Sequence, residues 1–279
     1  VRGIRSQRST YPEENIMGNA VANKKNAELS TDVMDDIFAD GGEGASFDSS
    51  ELQIPFIRLA QQMSPQINKK DASFIEGLSS GDIFNNLTNE IYDGETGIQF
   101  VPCYVITKYK EFVPRDEGGG FVQELDPSDP DILKTKKNGT KDVLPSGNEL
   151  VTADEYYGLV LGEDGDYQMA VIDMKVSQMK VSRRWKSQIA MNKAKNPKTG
   201  QMQILPIYST IWQLTTVDET NKRNETFSNY AVSKVGMVKD RSVYEDAKIF
   251  RQSVASGDVK AKDVDQVSVD EEPKDEIPF

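Results

Sequence analysis

Between Met174 and Val217 the chain carries eight lysines and arginines and neither aspartate nor glutamate: Lys175, Lys180, Arg183, Arg184, Lys186, Lys193, Lys195 and Lys198. Such a run suits a polyanion, because each phosphate neutralised by Lys or Arg releases condensed counterions and drives association whatever the charge of the rest of the protein. Aromatic side chains interleave with these cations. Tyr109 stands between Lys108 and Lys110, Trp185 lies inside the basic run, and Tyr208 and Trp212 follow four residues apart. On one extended strand that spacing puts both rings on a single face about 13 Å apart. Stacking of unpaired bases on such rings contributes about 1–3 kcal/mol per base. A phosphate track beside stacking faces is the chemistry of single-strand binding, and the expected contacts are Lys108, Tyr109, Lys110, Lys175, Lys180, Arg183, Arg184, Trp185, Lys186, Lys193, Lys195, Tyr208 and Trp212. The competing reading is a solvated helix face for the cations and core positions for the rings. Trp185 in particular shares the apolar stripe of its segment, where it would anchor a helix that presents Arg183, Arg184 and Lys186 outward.

Other chemistries are excluded or thinly supported. With no histidine anywhere, imidazole general-base catalysis, Ser-His-Asp triads and His-bearing zinc sites are ruled out, and a single cysteine, Cys103, makes neither an internal disulfide nor a thiolate metal cage. No glycine-rich phosphate loop followed by Lys-Ser/Thr is present, so nucleotide hydrolysis has no support. No cofactor and no metal site are expected. One enzymatic alternative stays open: Asp173-Met174-Lys175, after Asp164 and Asp166, has the acid and acid-x-Lys pattern with which metal-dependent nucleases hold Mg²⁺. A scaffold that recruits partners through acidic ends and has no affinity for DNA is the third reading.

The elements that must position these residues follow from hydrophobic period and turn chemistry. Ile98–Thr107, continued by Tyr109–Val113, reads as a strand apolar on both faces, returning through Phe121–Leu125. Asp126–Asn148 lacks periodicity and reads as a long loop, whereas Tyr156–Leu161 and Tyr167–Met174 form a hairpin. Val176 to about Lys195 is helical in period, with Val181, Trp185 and Ile189 on one stripe. Gln203–Thr216 and Glu225–Val235 are two further strands, and Arg241–Ala255 is a terminal amphipathic helix. The fold class is therefore mainly β with flanking helices (α+β). An OB-fold-like five-stranded barrel with a helix between strands 3 and 4 fits this order.

The net charge of −12 sits mostly at the ends: residues 1–51 and 257–279 each carry −5, and residues 52–256 only −2. The expected organisation is a disordered acidic region 1–51, a binding domain 52–256 and a disordered acidic tail 257–279. The first region includes a short amphipathic segment, Ala27–Ala39, and Met17 is a second candidate start after Val1. No apolar run approaches the roughly 18 residues of a membrane span, and the N-terminus lacks a secretory apolar stretch, so a soluble cytoplasmic protein without a membrane partner is expected.

The tail closes on Asp275-Glu276-Ile277-Pro278-Phe279, a stiffened apolar anchor with a free carboxylate behind acids. This ending resembles the acidic tip of bacterial single-stranded DNA-binding proteins. The longer chain and its extra N-terminal region look more like a phage-encoded single-stranded DNA-binding protein. The resemblance implies a role in DNA replication, recombination and repair. It also implies recruitment of polymerase, helicase, nuclease or recombinase partners through Asp275, Glu276, Ile277, Pro278 and Phe279, with the tail competing for the DNA groove.

Overall fold

The computed structural model describes residues 37, 39–40, 53–162, 165–222 and 224–261, nearly all of them in the second of two compact units, 1–47 and 48–279. Most of the acidic N-terminal region, with the segment Ala27–Ala39 except positions 37 and 39, and all of the tail from 262 lie outside the described residues. The strands are β1 (Phe56–Leu59), β2 (Ile83–Asn85), β3 (Ile91–Tyr92), β4 (Ile98–Phe112), β5 (Phe121–Leu125), β6 (Lys136–Asn138) and β7 (Lys141–Val143). They continue with β8 (Glu149–Leu161), β9 (Tyr167–Lys175), β10 (Lys193–Lys195), β11 (Met202–Ile204), β12 (Thr210–Thr220) and β13 (Thr226–Met237). Helices α1 (Pro130–Leu133), α2 (Met179–Ala190) and α3 (Arg241–Ser256) accompany them.

β4 and β8 form the spine of the main sheet, antiparallel from Gln99↔Leu161 to Phe112↔Glu149 with a bulge between Pro102 and Tyr104. Proline donates no ladder hydrogen bond, and a bulge beside it is the usual accommodation. Gly158 sits opposite Pro102, and a Cβ there would stand 2.4 Å from both the Phe100 ring and the Val101 carbonyl oxygen. Glycine thus lets the Phe100 ring cross the neighbouring strand.

Strand order is β13-β12-β4-β8-β9-β1-β2-β3, with β5 beside β4 and the β6–β7 hairpin beside β8. One face gathers Ile57, Ile83, Phe100, Tyr156, Ile172, Trp212 and Tyr230 into a single cluster. Residues from opposite ends of the strand order meet there, so the sheet curls with that face inside. Trp185 of α2 fills the hollow, stacked on Tyr156 at 4.2 Å and edge-on to Trp212 at 6.0 Å. The other face is covered by Val243, Ala247, Phe250 and Val254 of α3, packed on Val101, Cys103, Tyr157 and Val171. Asp240 caps α3 by accepting from the Ser242 and Val243 amides. Beyond Gly257, Val259 and Ala261 stay against this cluster, and the Ala261 amide donates to the Tyr157 hydroxyl.

The ladder does not close. The Gln61 side chain stands in for a missing strand, accepting from the Ser228 amide of β13 (3.1 Å) and donating to its carbonyl (2.9 Å). On β12, the Thr216 amide and hydroxyl donate to the carbonyls of Gly94 and Gly81. These bonds satisfy edge groups that would otherwise invite pairing with another chain. The structure therefore corrects the expected five-stranded OB-like barrel. The main sheet has eleven strands, is curled but open, and its inner helix follows the ninth strand of the chain. Residues 53–92 supply three strands of two to four residues, and the expected loop Asp126–Asn148 holds α1, β6 and β7. Elements that short show no readable alternation.

Candidate nucleic-acid interface

The site begins where β9 turns into α2. Val176 adopts φ 52°, a left-handed conformation that costs a β-branched residue about 1–3 kcal/mol. The reversal lets α2 lie against the inner face of the sheet. Val181, Trp185 and Ile189 point inward, leaving Lys180, Arg183 and Arg184 exposed. None of these three meets a carboxylate among the described residues.

Two residues after α2, the chain enters the β10–β11 ribbon, a two-stranded sheet separate from the main one. Its root is held by Asn192, whose side chain donates to the Thr210 hydroxyl and accepts from Lys234 of β13. Its tip is an Asn196–Gly200 turn in which the Asn196 carboxamide accepts from the Lys198 amide. The register sets Lys193 opposite Ile204 and Lys195 opposite Met202. Directly opposed residues share a face, so one side of the ribbon alternates ammonium groups with apolar side chains. All four are exposed, as are Lys198 and Met191. Lys193, Lys195 and Lys198 have no acidic partner among the described residues either.

Other expected contacts sit elsewhere. Lys110 is buried between Glu155 (3.0 Å) and Asp173 (3.3 Å), Lys175 pairs with Asp173 (3.1 Å), Lys186 with Asp154 (2.7 Å), and Lys108 with Glu124. The carboxylates come from other strands or, for Lys175, from two residues earlier on the same strand, and they neutralise cations assigned to phosphate. Trp185 and Trp212 are 0% and 2% exposed, so neither ring face can stack on a base. Tyr208 lies in a 3-10 turn, Ile207–Ser209, half-buried against Tyr244 of α3 at 5.4 Å, rather than on a strand face with Trp212. Tyr109 is half-buried beside Leu125, Leu144 and Leu150. Of the expected set, Lys180, Arg183, Arg184, Lys193 and Lys195 are the cations left exposed and without an acidic partner among the described residues. Lys234, missed in the sequence, stands at the ribbon root, and Met191, Met202 and Ile204 were passed over because aliphatic residues carry no charge or ring signal. The tip residues 275–279 lie outside the described residues.

The buried carboxylates show how the charges are apportioned. Burial pushes the Asp173 carboxyl up, but Lys175 and Lys110 together hold it below the usual range. Burial also pushes Glu155 up, and its share of Lys110 offsets this only in part, so its pKa stays raised. Asp154, also buried, is drawn below the ordinary value by hydrogen bonds from Lys186, Ser182 and Thr107. Cys103 is fully buried and its thiol is pushed up by burial. The acids of the nuclease alternative are not brought together. Asp166 precedes β9 and Asp173 lies seven residues along it, about 23 Å away, while Asp164 is outside the described residues. Among the described residues no three Asp, Glu, Cys or His side chains cluster as a metal site would need. Among them, too, no helix is long and apolar enough to cross a membrane.

A family model described as "Pam3 phage gp34-like protein" matches residues 23–260, most of the chain and every residue of the strands β1–β13 and helices α1–α3. Comparison with curated proteins and with solved structures gives no match.

Proposed function

The chain belongs to the Pam3 phage gp34-like family, and from that premise we propose that it is a non-catalytic single-stranded DNA-binding protein of phage DNA replication and recombination, acting in the host cytoplasm. One observation carries the reading: Lys180, Arg183 and Arg184 on α2, followed at once by Lys193, Lys195 and Lys198 on the ribbon, are exposed and meet no carboxylate among the described residues. Like charges held this close repel one another, and a polyanion relieves the repulsion while releasing its own counterions. Exposed Met191, Met202 and Ile204 beside them favour unpaired bases, whose apolar faces a duplex hides. The tip Asp275–Phe279 recruits replication or recombination enzymes, a role that rests on its resemblance to bacterial tips.

The test is titration of the full chain with labelled oligo-dT and with a duplex of equal length, Mg²⁺ present, the DNA checked afterwards for cleavage. Salt-sensitive binding of intact oligo-dT in preference to duplex is expected. Degraded DNA would replace the reading with a nuclease, and binding of neither would leave a scaffold.

A further inference from the structure

We infer that the β10–β11 ribbon is the base-contacting element of this site: Met202 and Ile204 lie against the faces of unpaired bases while Lys193 and Lys195 hold the adjoining phosphates. The inference rests on the single-strand reading above and adds to it the residues that meet the bases.

Three observations point there. First, no aromatic side chain among the described residues is exposed: every Phe, Tyr and Trp is buried or half-buried, including the two tryptophans nearest the basic run. Among the described residues, the exposed apolar side chains beside these cations are therefore Met and Ile, not rings. Second, Met202 and Ile204 are 62% and 64% exposed, although the ribbon has only three residues per strand and needs what burial it can obtain. The ribbon's own packing does not use them. Third, the register makes the face a double row, Lys193 and Lys195 along one strand, Ile204 and Met202 along the other. Residues two apart on a strand are about 7 Å apart, and each cation is directly opposite an apolar side chain. A nucleotide has the same two parts, an anionic phosphate and a flat apolar base, and Ile and Met are among the side chains that proteins insert between bases. The charge beside the apolar row selects a polyanion as the occupant, and the occupant to which we commit is single-stranded DNA.

The experiment compares the wild-type full chain, Met202→Ala/Ile204→Ala and Lys193→Ala/Lys195→Ala, each titrated with oligo-dT and with an abasic oligonucleotide of equal length over a range of salt. Both side chains removed in the first variant are exposed, so truncation opens no cavity. The wild type is expected to prefer oligo-dT to the abasic strand. Met202→Ala/Ile204→Ala should lose about tenfold in oligo-dT affinity, the equivalent of about 1.4 kcal/mol, with abasic binding and salt slope unchanged. Lys193→Ala/Lys195→Ala should weaken both ligands and flatten the slope by about 1.4. An oligo-dT affinity unaltered in the apolar variant would overturn the inference and leave the single-strand reading standing. If the wild type binds neither oligonucleotide, that reading falls and the inference with it. Two further controls overturn the inference by naming another occupant: loss of a wild-type dimer by sedimentation in the apolar variant, or ribbon-dependent binding to phosphatidylserine vesicles in preference to oligo-dT.

Discussion

Lys110 and Lys180 carry the same charge on the same scaffold, yet one is buried between two carboxylates and the other stands exposed on α2 with no carboxylate beside it among the described residues. The spine of the sheet uses its lysines as clamps. Lys110 joins β4 to β8 and β9, and Lys186 holds α2 to Asp154 of β8. The outer side of α2 and the ribbon use theirs for nothing within the described residues. Basic residues near one another in sequence are thus divided by what faces them: one group pairs with carboxylates of the fold, and the other has no acidic partner among the described residues.

The largest effect should come from breaking a clamp. Lys110→Met leaves Glu155 and Asp173, whose side chains are 4% and 5% exposed, without their shared ammonium. Loss of one partner from a buried ion pair costs about 3–5 kcal/mol, to be read as a lowered midpoint in urea unfolding. Lys186→Met should cost less, about 1–2 kcal/mol, because its side chain is 40% exposed and water screens the pair. Lys180→Ala, by contrast, should change stability by no more than about 0.5 kcal/mol.

The clamp also fixes the sign of a pH effect. Asp154 has a folded pKa below its unfolded value. Its contribution is therefore complete above the unfolded pKa of about 3.9 and is lost as pH falls through the lower folded value. Thermal unfolding of the wild type against Asp154→Asn should show a gap near neutrality that narrows below about pH 4. A gap that widens with acid would reverse the assignment. Glu155 acts in the opposite sense: its folded pKa is raised, so it costs stability while ionised, and that cost fades as pH falls through the folded value.

The smallest effect is spectroscopic. Since Trp185 and Trp212 are buried on the inner cluster, saturating oligo-dT should leave the tryptophan emission maximum nearly unmoved while anisotropy of a label on the DNA rises. A strong shift would mean that α2 lifts from the sheet on binding.

The parts of the fold legible in the sequence are those with long, unbroken periodicity. Ile98–Phe112, the β8–β9 hairpin, the Val181–Trp185–Ile189 stripe and α3 all announce themselves in this way. The run from Gln203 to Thr216 reads as one strand, yet Pro206 fixes its own φ and starts the 3-10 turn that carries Tyr208 away from Trp212. The end of the expected helix becomes β10, because α2 stops at Ala190 and the chain reverses into the ribbon. At the site, the presence of the cations was legible and their division was not. An acid on a distant strand decides whether a lysine is a clamp or a contact, and nothing local to Lys110 or Lys186 announces that acid; only for Lys175 does the partner, Asp173, stand two residues away in the sequence. The rings fail for a related reason, since alternation on a strand looks the same whether the face meets a core or a base.

The division of the cations is tested most directly by the salt dependence of oligo-dT binding, measured for the wild type and for Lys180→Ala/Arg183→Ala/Arg184→Ala. Three lost phosphate contacts should flatten the slope of log affinity against log salt by about 2 for a single strand, with the urea midpoint unchanged. An unchanged slope, or a slope that falls only because the variant unfolds, would contradict the assignment of α2 to DNA.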